Sequence, residues 1–323
     1  SEDPAMWENT VESDGYAAAL HGTLRAKPHK RLLLLPGLRL ERYAWVDQQR
    51  FSAEPRLSAR WSSDKRNRHQ LKVQVGQYRK LPNPELLSDT MGNREMSLEG
   101  AWQYGAGYEY RPDPFFHLDV QLFYKKMYNI VGNNRNYTAS SAEPRIGNLI
   151  DGRVFGAEIL LRHRPSPRPF YGWIAYTLSR SERSHRQFPD IGWYLFGKDQ
   201  THILNAVIGY KFGHGWTAGT TLRLVSGDPT YPVIAARFDS DVQTYRELRT
   251  DRLDARTPAF FQMDVRIEKK STRKRHAFAY YLDVMNATNQ ENIEFITHQY
   301  DYRASSGIAG IPIFPSLGIE WSW

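Results

Sequence analysis

The sequence contains no cysteine and no long apolar segment, and each absence removes a class of protein. Without cysteine, the chain can form neither a disulfide framework nor a thiolate metal site. Mean hydropathy is −0.62, and the leucine run 32–35 stops at Pro36. No stretch therefore approaches the roughly 20 apolar residues that a membrane-spanning helix needs. A helical membrane protein is excluded, whereas a membrane β-barrel is not, because only alternate residues of its strands face lipid.

Sequence motifs that bind metals or nucleotides are also missing. The ten histidines are dispersed without an HExxH pair, and neither GxGxxG nor GxxxxGK[ST] occurs. Asp239 and Asp241 could hold a cation, but two neighbouring carboxylates fall short of a calcium loop. No sequence motif marks a nucleophile and a histidine as members of a catalytic site. The sequence predicts no enzyme, no cofactor and no resident metal.

The net charge of +8 could indicate a nucleic-acid partner, but the positions of the charges argue against one. Basic residues cluster at 27–31, 65–68, 162–168 and 269–275. Each cluster brackets a short gap between alternating segments instead of lining a single helix. We therefore expect no binding to nucleic acid.

Period-two alternation is the dominant pattern, and aromatic residues make up 13% of the chain. One segment alternates Leu118, Val120 and Leu122 with Asp119 and Gln121, as in a strand with two different surroundings. No window keeps a helical period of 3.6. The segments that we predict as strands are 15–26, 31–45, 54–63, 68–78, 95–110, 114–128, 145–164, 168–182, 200–213, 215–226, 257–270, 276–288 and 310–323.

Connections between these segments alternate between short and long. The short ones read KPHK, DKRN, RPDP, PSP, HG and STRKR. The long ones are 46–53, 79–94, 129–144, 183–199, 227–256 and 289–309. Short periplasmic turns and long external loops are typical of an outer-membrane barrel, whereas a soluble sandwich has no reason to sort its connections in this way. The pattern predicts an all-β fold, an antiparallel transmembrane β-barrel with about thirteen strands in this chain.

The last strand ends without a polar tail. Leu317, Ile319, Trp321 and Trp323 alternate with small or polar residues that include Gly318. In a closed barrel such a strand pairs with another, and its aromatic residues lie at the lipid boundary. Gly318, Trp321 and Trp323 also resemble the glycine-x-x-aromatic-x-aromatic ending that marks outer-membrane barrels for assembly, although a terminal Phe is usual there. The alternative is a buried terminal strand of a soluble sandwich.

Five stretches resemble the C-terminal barrel of TonB-dependent outer-membrane receptors, and they occur in the family's order across nearly the whole chain. They are VGQYRKLPNPELL (75–87), REMSLEGAWQYGAGYEY (94–110), LDVQLFYKKMYNIV (118–131), GRVFGAEILLR (152–162) and YLDVMNATNQENIEF (281–295). The resemblance implies a location in the outer membrane of a Gram-negative bacterium and a 22-stranded barrel filled by an N-terminal plug. It also implies that the plug and about nine further strands belong to a separate chain or a missing segment, through which TonB is contacted.

Strand parity suggests how the termini are placed. The last strand of such a barrel ends in the periplasm, and an odd number of strands then puts residue 1 outside the cell. We therefore divide the chain into an irregular extracellular segment, 1–14, and a barrel portion, 15–323, that forms the C-terminal part of a larger barrel. An extra strand at 5–11 would make the number even, but Pro4 and the acidic flanks disfavour it.

Two sets of residues are candidates for function. Inward-facing residues could contact the plug and line the route of a ligand, or they could be only a salt-bridged lining of the wall. These candidates are Asp119, Gln121, Glu158, Arg162, Asp264, Arg266 and Asp283. In the long loops, aromatic and cationic residues suit a bulky or anionic ligand, although loop packing and contact with lipopolysaccharide would use the same residues. These candidates are Trp193, Tyr194, Arg237 and Tyr245.

The resemblance implies active uptake of a scarce ligand that is siderophore-, cobalamin- or glycan-like. In this interpretation the loops capture the ligand, and an energised plug releases it through the barrel. Outer-membrane lipid and lipopolysaccharide are the other expected partners. The alternative, from a different class, is a barrel that serves as the scaffold of a surface or envelope machine and transports nothing.

Overall fold

The computed structural model describes residues 15–45, 48–87, 92–138, 143–165, 168–250, 253, 255–273 and 276–322. These residues are mostly β-strand, with two short 3-10 helices at Pro84–Leu87 and Pro189–Ile191. Within the described ranges, no helix is long and apolar enough to cross a membrane. The segment 1–14, which we expected to be irregular and extracellular, lies outside the described residues.

The strands are numbered in chain order. They are β1 Gly15–Thr23, β2 Ala26–His29, β3 Leu32–Trp45, β4 Gln48–Ser62, β5 His69–Lys80, β6 Glu99–Tyr110, β7 Phe116–Asn133, β8 Ile146–His163, β9 Phe170–His185, β10 Tyr194–Leu195, β11 His202–Gly213, β12 Trp216–Val225, β13 Pro229–Thr230, β14 Val233–Asp239, β15 Thr244–Arg249, β16 Ala255–Arg256, β17 Phe260–Arg273, β18 His276–Met285, β19 Ile293–His298, β20 Ser305–Ala309 and β21 Phe314–Ser322.

Thirteen strands form one continuous antiparallel ladder. Their order is β1-β3-β4-β5-β6-β7-β8-β9-β11-β12-β17-β18-β21, and β2 and β10 add to β3 and β9. The order of neighbours in the ladder follows the order of the strands in the sequence, as expected when each strand runs antiparallel to the one before it. The prediction of about thirteen antiparallel strands is confirmed. Among the described residues, β1 and β21 are the two edges of the ladder.

One predicted long connection, 46–53, is wrong. β3 ends at Trp45 and β4 begins at Gln48, and the antiparallel register runs from that pair down the whole of both strands. Phe51 is exposed while the next residue, Ser52, is buried. Residues 48–53 therefore continue the alternation of β4, and pairing with β3 holds them in the sheet.

The remaining connections sort to opposite ends of the sheet, as predicted. We call the end that carries the short connections 63–68, 111–115, 164–169 and 214–215 the turn end. We call the other end, with the connections 81–98, 134–145, 186–201, 226–259 and 286–313, the loop end. Inside the long connections the chain forms two hairpins that the sequence analysis did not predict, β14–β15 and β19–β20.

The two surfaces of the sheet differ in chemistry. Leu122 is 60% exposed and lies opposite Ala106 and Ala157, while the next residue, Gln121, lies opposite Gly107 and Glu158. We call the side of Leu122 the apolar face and the side of Gln121 the polar face. The register places Val120, Val265 and Leu282 on the apolar face as well. This division is the one that a strand between lipid and an aqueous lumen requires.

Two tyrosine rings on the polar face lie over glycines of the neighbouring strand. A Cβ at Gly318 would be 2.2 Å from Cζ of Tyr281, and a Cβ at Gly209 would be 2.3 Å from Cζ of Tyr171. Any larger residue would displace these rings. Covering a strand glycine with an aromatic ring compensates for its missing side chain and helps to fix the strand register.

Aspartates shape two connections at the turn end. Asp64 accepts hydrogen bonds from the backbone N–H groups of Arg68 and His69 and from Nε of Arg68. Although desolvation opposes the effect, these bonds lower the pKa of Asp64 to about 2. Asp113 accepts from the N–H groups of Phe115 and Phe116 in the same manner. In both turns the aspartate carboxylate accepts hydrogen bonds from two backbone N–H groups and thereby fixes the conformation of the turn.

The buried apolar cluster lies at the loop end, where the connection after β5 meets the ends of β7 and β8. Leu87, Met96 and Ile146 are at most 6% exposed and pack together with Leu81 and Val131. Their positions show that the connection 81–98 folds against β7 and β8 where these strands reach the loop end. The sheet itself has no second layer among the described residues, so its two faces remain available to other partners.

Arginine at the position of Leu122 should destabilise the folded sheet, because it would place a cation on the apolar face. Near mid-bilayer the expected cost is roughly 2–4 kcal/mol. The measurement is the free energy of unfolding in urea, in lipid vesicles, with heat modifiability as the readout of folding. Gln121→Arg, one residue away on the polar face, is the matched control and should be tolerated. Equal losses for both variants would contradict the assignment of the faces.

Candidate functional site

The polar face carries an ion-pair network close to the turn end. Asp119 on β7 lies directly opposite Glu109 on β6, an arrangement in which two carboxylates repel. Lys72 on β5 resolves this repulsion, since its Nζ is 2.5 Å from Asp119 Oδ2 and 3.4 Å from Glu109 Oε2. Arg111 adds a second cation, with Nε 2.5 Å from Glu109 Oε1. Asp119, predicted from alternation, is thus held in a network of ion pairs.

A histidine missed by the sequence analysis joins this network. Nη2 of Arg162 lies 3.3 Å from Nδ1 of His117, which must accept, so the ring proton is on Nε2. This nitrogen is 3.5 Å from Glu109 Oε1. The side-chain atoms of Glu109, His117 and Asp119 that could bind a metal lie within 4.8 Å of one another, so one cation could contact all three. Because Lys72 already bridges both carboxylates, we describe the group as an ion-pair network and not as a metal site.

The two other candidates of this region extend the polar face along β7 and β8. Nε2 of Gln121 donates to Asp119 at 3.3 Å. Glu158 lies opposite Gln121 in the register. The structure thus brings four predicted residues, Asp119, Gln121, Glu158 and Arg162, onto one connected surface, as their alternation indicated.

A second network lies on the polar face of β17 and β18. Arg266 donates through Nη1 to Asp283 at 2.8 Å and through Nη2 to Glu268 at 2.9 Å. Its guanidinium also stacks on the ring of Tyr281, with Cζ 3.8 Å from the ring centroid. Asp264 accepts from the backbone N–H of Asn286 at 2.8 Å. The three predicted residues therefore have structural partners, which fix the pairing of these strands.

Of the predicted assembly residues, Gly318 and Trp321 lie on β21. Gly318 makes room for the ring of Tyr281 on the polar face. Trp321 lies on the apolar face, stacked 5.9 Å from His276 and 6.5 Å from Phe278 between ring centroids. Trp323 falls outside the described residues. The terminal strand thus ends in an aromatic cluster at the turn end.

The loop candidates Trp193 and Tyr194 point in different directions. The ring of Trp193 covers the guanidinium of Arg153, with a distance of 4.3 Å from Cζ to the centroid. Tyr194, on β10, lies opposite Arg183. Burial raises the pKa of Tyr194, and its protonated phenol can donate a hydrogen bond.

The candidates Arg237 and Tyr245 belong to the β14–β15 hairpin. Arg237 lies opposite Arg246, and the ring of Tyr245 packs 5.1 Å from that of Phe238. Tyr245 also meets Tyr300 edge-on, with 5.5 Å between the centroids. Since Tyr300 belongs to the connection that carries β19–β20, this contact joins two long loops. Tyr245 thus forms a contact between two loops, as expected from the alternative that these aromatic residues serve loop packing.

An anchor that the sequence analysis missed fixes these loops to the sheet. Asp199 is 1% exposed and accepts from Nη2 of Arg256 at 2.6 Å and from the backbone N–H of Ser181 at 2.6 Å. Nη1 of Arg256 donates to the backbone oxygens of Asp199 and Gly227, each at 2.8 Å. No alternation or spacing marks Asp199 and Arg256, because they are 57 residues apart and in different connections.

A cleft opens beside this anchor at the loop end. It encloses about 760 Å³ and is bordered by the connections 186–201, 226–259 and 286–313. Lys198, Asp228, Arg249, Glu294 and His298 supply its charged and ionisable lining. The mixture of charges, backbone groups and aromatic rings can bind a polar ligand of moderate size.

With this geometry established, comparison with known families assigns the chain. The sequence matches the family described as "TonB dependent receptor-like, beta-barrel" over residues 2–287. The chain therefore belongs to the TonB-dependent receptor β-barrel family, whose members are outer-membrane transport receptors. No curated protein matches the sequence significantly.

Several solved structures share the fold at low sequence identity. The ferripyoverdine receptor of Pseudomonas aeruginosa superposes with a TM-score of 0.67 at 14% identity, over 96% of this chain and 39% of the receptor. The ferric-catecholate import receptor Fiu from Escherichia coli K12 gives 0.64 at 13% identity, over 95% and 44%. The FrpB iron transporter of Neisseria meningitidis, variant F3-3, gives 0.64 at 15%, over 95% and 46%. The chain thus spans less than half the length of each of these structures.

Replacing Arg256 with alanine should release the connection 226–259, because the carboxylate of Asp199 would stay buried without its cation. Breaking such a buried pair typically costs about 3–5 kcal/mol. Limited proteolysis and hydrogen exchange of this connection should both accelerate, while the heat modifiability of the barrel is kept. Arg249→Ala, which removes an exposed pair with Glu247 in the same connection, is the control and should change little. Identical protection in both variants would contradict the anchoring role.

Proposed function

We propose that this chain supplies the C-terminal strands and loops of an outer-membrane receptor that takes up a scarce ligand at the expense of TonB energy. Family membership supports the receptor role. The cleft at the loop end carries the proposal for capture, because three connections border it and a buried ion pair joins two of them. Such pre-organisation lowers the entropic cost of binding. The proposed role involves no catalysis and no nucleic acid.

The ligand that fits these observations best is an iron chelate of the siderophore type. Similar folds bind ferripyoverdine in one receptor and import ferric catecholates in another. The cleft offers charged groups, backbone donors and aromatic rings on a scale that suits a chelate larger than a bare ion. Among the siderophore-, cobalamin- and glycan-like ligands expected from the sequence, we therefore favour the first.

We further propose that other strands and a plug complete the receptor. The ladder leaves β1 and β21 as edges within the described residues, and lipid tolerates no unpaired strand edge. Strands supplied by a separate chain or by a further segment would pair with both edges. The plug would then face the polar surface and carry the contact to TonB. In this arrangement the loop end faces outward, residue 1 is extracellular, the C-terminus is periplasmic, and lipopolysaccharide surrounds the loop end.

Uptake can be tested in the whole receptor by removing the β14–β15 hairpin. Residues 233–249 would be replaced by a short Gly-Ser linker, which retains the paired base β13–β16. Accumulation of ⁵⁵Fe delivered as ferripyoverdine or as a ferric catecholate should then fall at least tenfold, with normal amounts of folded barrel. The same loss should follow deletion of TonB. If neither chelate accumulates in a TonB-dependent manner with the intact receptor, the proposal fails and the scaffold alternative gains.

For Gly318, Trp321 and Trp323 we propose a role in assembly. The double variant Trp321→Ser and Trp323→Ser should lower the amount of heat-modifiable barrel in the outer membrane, because aromatic residues at this end would no longer mark the last strand. Chelate preference in the barrels that do fold should stay the same. Ser316→Ala, on the polar face of β21, is the matched control. Normal insertion of the double variant would show that the aromatic ending is incidental.

A further inference from the structure

A recess on the polar face, near the loop end, has no role in the account so far. It encloses about 340 Å³ and extends across β5, β6, β7 and the end of β9. Four cations line it, together with Glu99 and Gln103, and they are Arg79, Lys80, Lys125 and Arg183. The recess lies on the lumenal side of the wall, between the loop cleft and the ion-pair network of Lys72.

Small residues in the register create this recess. Ala101, Met127, Gly152 and Arg183 are consecutive in one row across β6, β7, β8 and β9. A Cβ at Gly152 would lie 2.6 Å from Cε of Met127 and 3.2 Å from Nη1 of Arg183. Glycine at this position therefore lets the guanidinium lie close to the sheet, beside the side chain of Lys125.

The charge of the recess is not neutralised by its own residues. The charged groups that act on Lys125 are Arg183 and Lys80, which are both cations. Lys125 makes no ion pair within the part of the chain that the structure describes. Glu99 is engaged by Lys80 at 2.8 Å and by the backbone N–H of Val131 at 3.1 Å. Alternation assigns Arg79 to the other face of β5. The recess thus keeps two cations of the polar face, Lys125 and Arg183, in excess.

Both excess cations have donors to spare. Within the residues that the structure describes, Arg183 donates through Nη1 alone, to Ser181 Oγ at 3.2 Å and to the backbone oxygen of Glu182 at 2.9 Å. The ring of Phe196 covers its guanidinium, with 4.0 Å from Cζ to the centroid. The stacked ring holds the guanidinium in place and leaves Nε and Nη2 available. The ammonium of Lys125 offers three more donors.

We propose that this recess is an oxyanion site, which binds the carboxylate or phosphate group of a small anionic ligand as it passes through the lumen. The inference rests on the proposed uptake function and adds a ligand class and a second position to it. Two cations on a partly buried wall attract an anion more strongly than exposed cations do, because low-dielectric walls focus the field. A bound anion would accept charge-assisted hydrogen bonds from the half-buried side chain of Lys125 and would offset the repulsion between Lys125 and the neighbouring cations.

The strand β7 provides a matched pair of variants. Lys125 lies on the polar face, and Lys126, the next residue, lies exposed on the opposite face, so Lys125→Gln and Lys126→Gln remove the same charge from opposite sides. Citrate is the probe, titrated by calorimetry into the purified receptor at physiological salt, with inorganic phosphate as a second probe. Lys125→Gln and Arg183→Gln should each weaken citrate binding at least tenfold. Lys126→Gln should leave the affinity unchanged.

The other outcomes overturn the proposal. Equal weakening by Lys125→Gln and Lys126→Gln would mean that net charge, and not the recess, binds citrate. If Lys125→Gln leaves citrate binding unchanged but exposes a previously protected segment to protease, then an acidic side chain of the receptor itself occupies the recess. Chelate uptake measured on the same variants separates the two claims. Uptake without citrate binding refutes the oxyanion site alone, and citrate binding without TonB-dependent uptake by the wild-type receptor refutes the proposed function alone.

Discussion

Backbone hydrogen bonding between neighbouring strands is the constraint on which the rest of this structure depends. A chain that crosses a bilayer without helices must pair every N–H and C=O group with another strand, because lipid offers no alternative partner. The ladder from β1 to β21 satisfies this requirement at each of its internal pairs. Once the ladder exists, side chains alternate strictly between two faces. The chemistry of each face then follows from the register of the strands.

The register also explains why alternation in the sequence was sufficient to predict much of the fold. Each residue on the polar face, from Asp119 to Asp283, could be assigned because a strand residue has only two directions to point. Which polar residues pair is a different question. The bridge from Lys72 to Asp119 and Glu109 depends on the stagger between three strands, and no pattern within one strand contains that information.

The loop end was predicted less well, for a related reason. The sequence predicts a loop at 46–53, whereas residues 48–53 pair with β3 and belong to the ladder. The anchor between Asp199 and Arg256 joins two connections that are distant in sequence, so only the folded chain brings them together. Aromatic composition made Tyr245 a candidate for ligand contact, but its ring packs against Tyr300. Composition therefore locates a loop without specifying what its side chains contact.

Charge is distributed unevenly along the polar face, and this has a consequence for passage through a lumen. At the turn end, the cations Lys72 and Arg111 balance the carboxylates of Asp119 and Glu109. Toward the loop end, Lys125 and Arg183 have no carboxylate of their own in the described part of the wall. An anion that arrives from the loops would meet an attractive region first and a neutral one afterwards. Attraction near the entrance raises the local concentration of a scarce ligand. The part of the polar face at the turn end, where cations and carboxylates balance, has no comparable attraction that would slow the release of the anion.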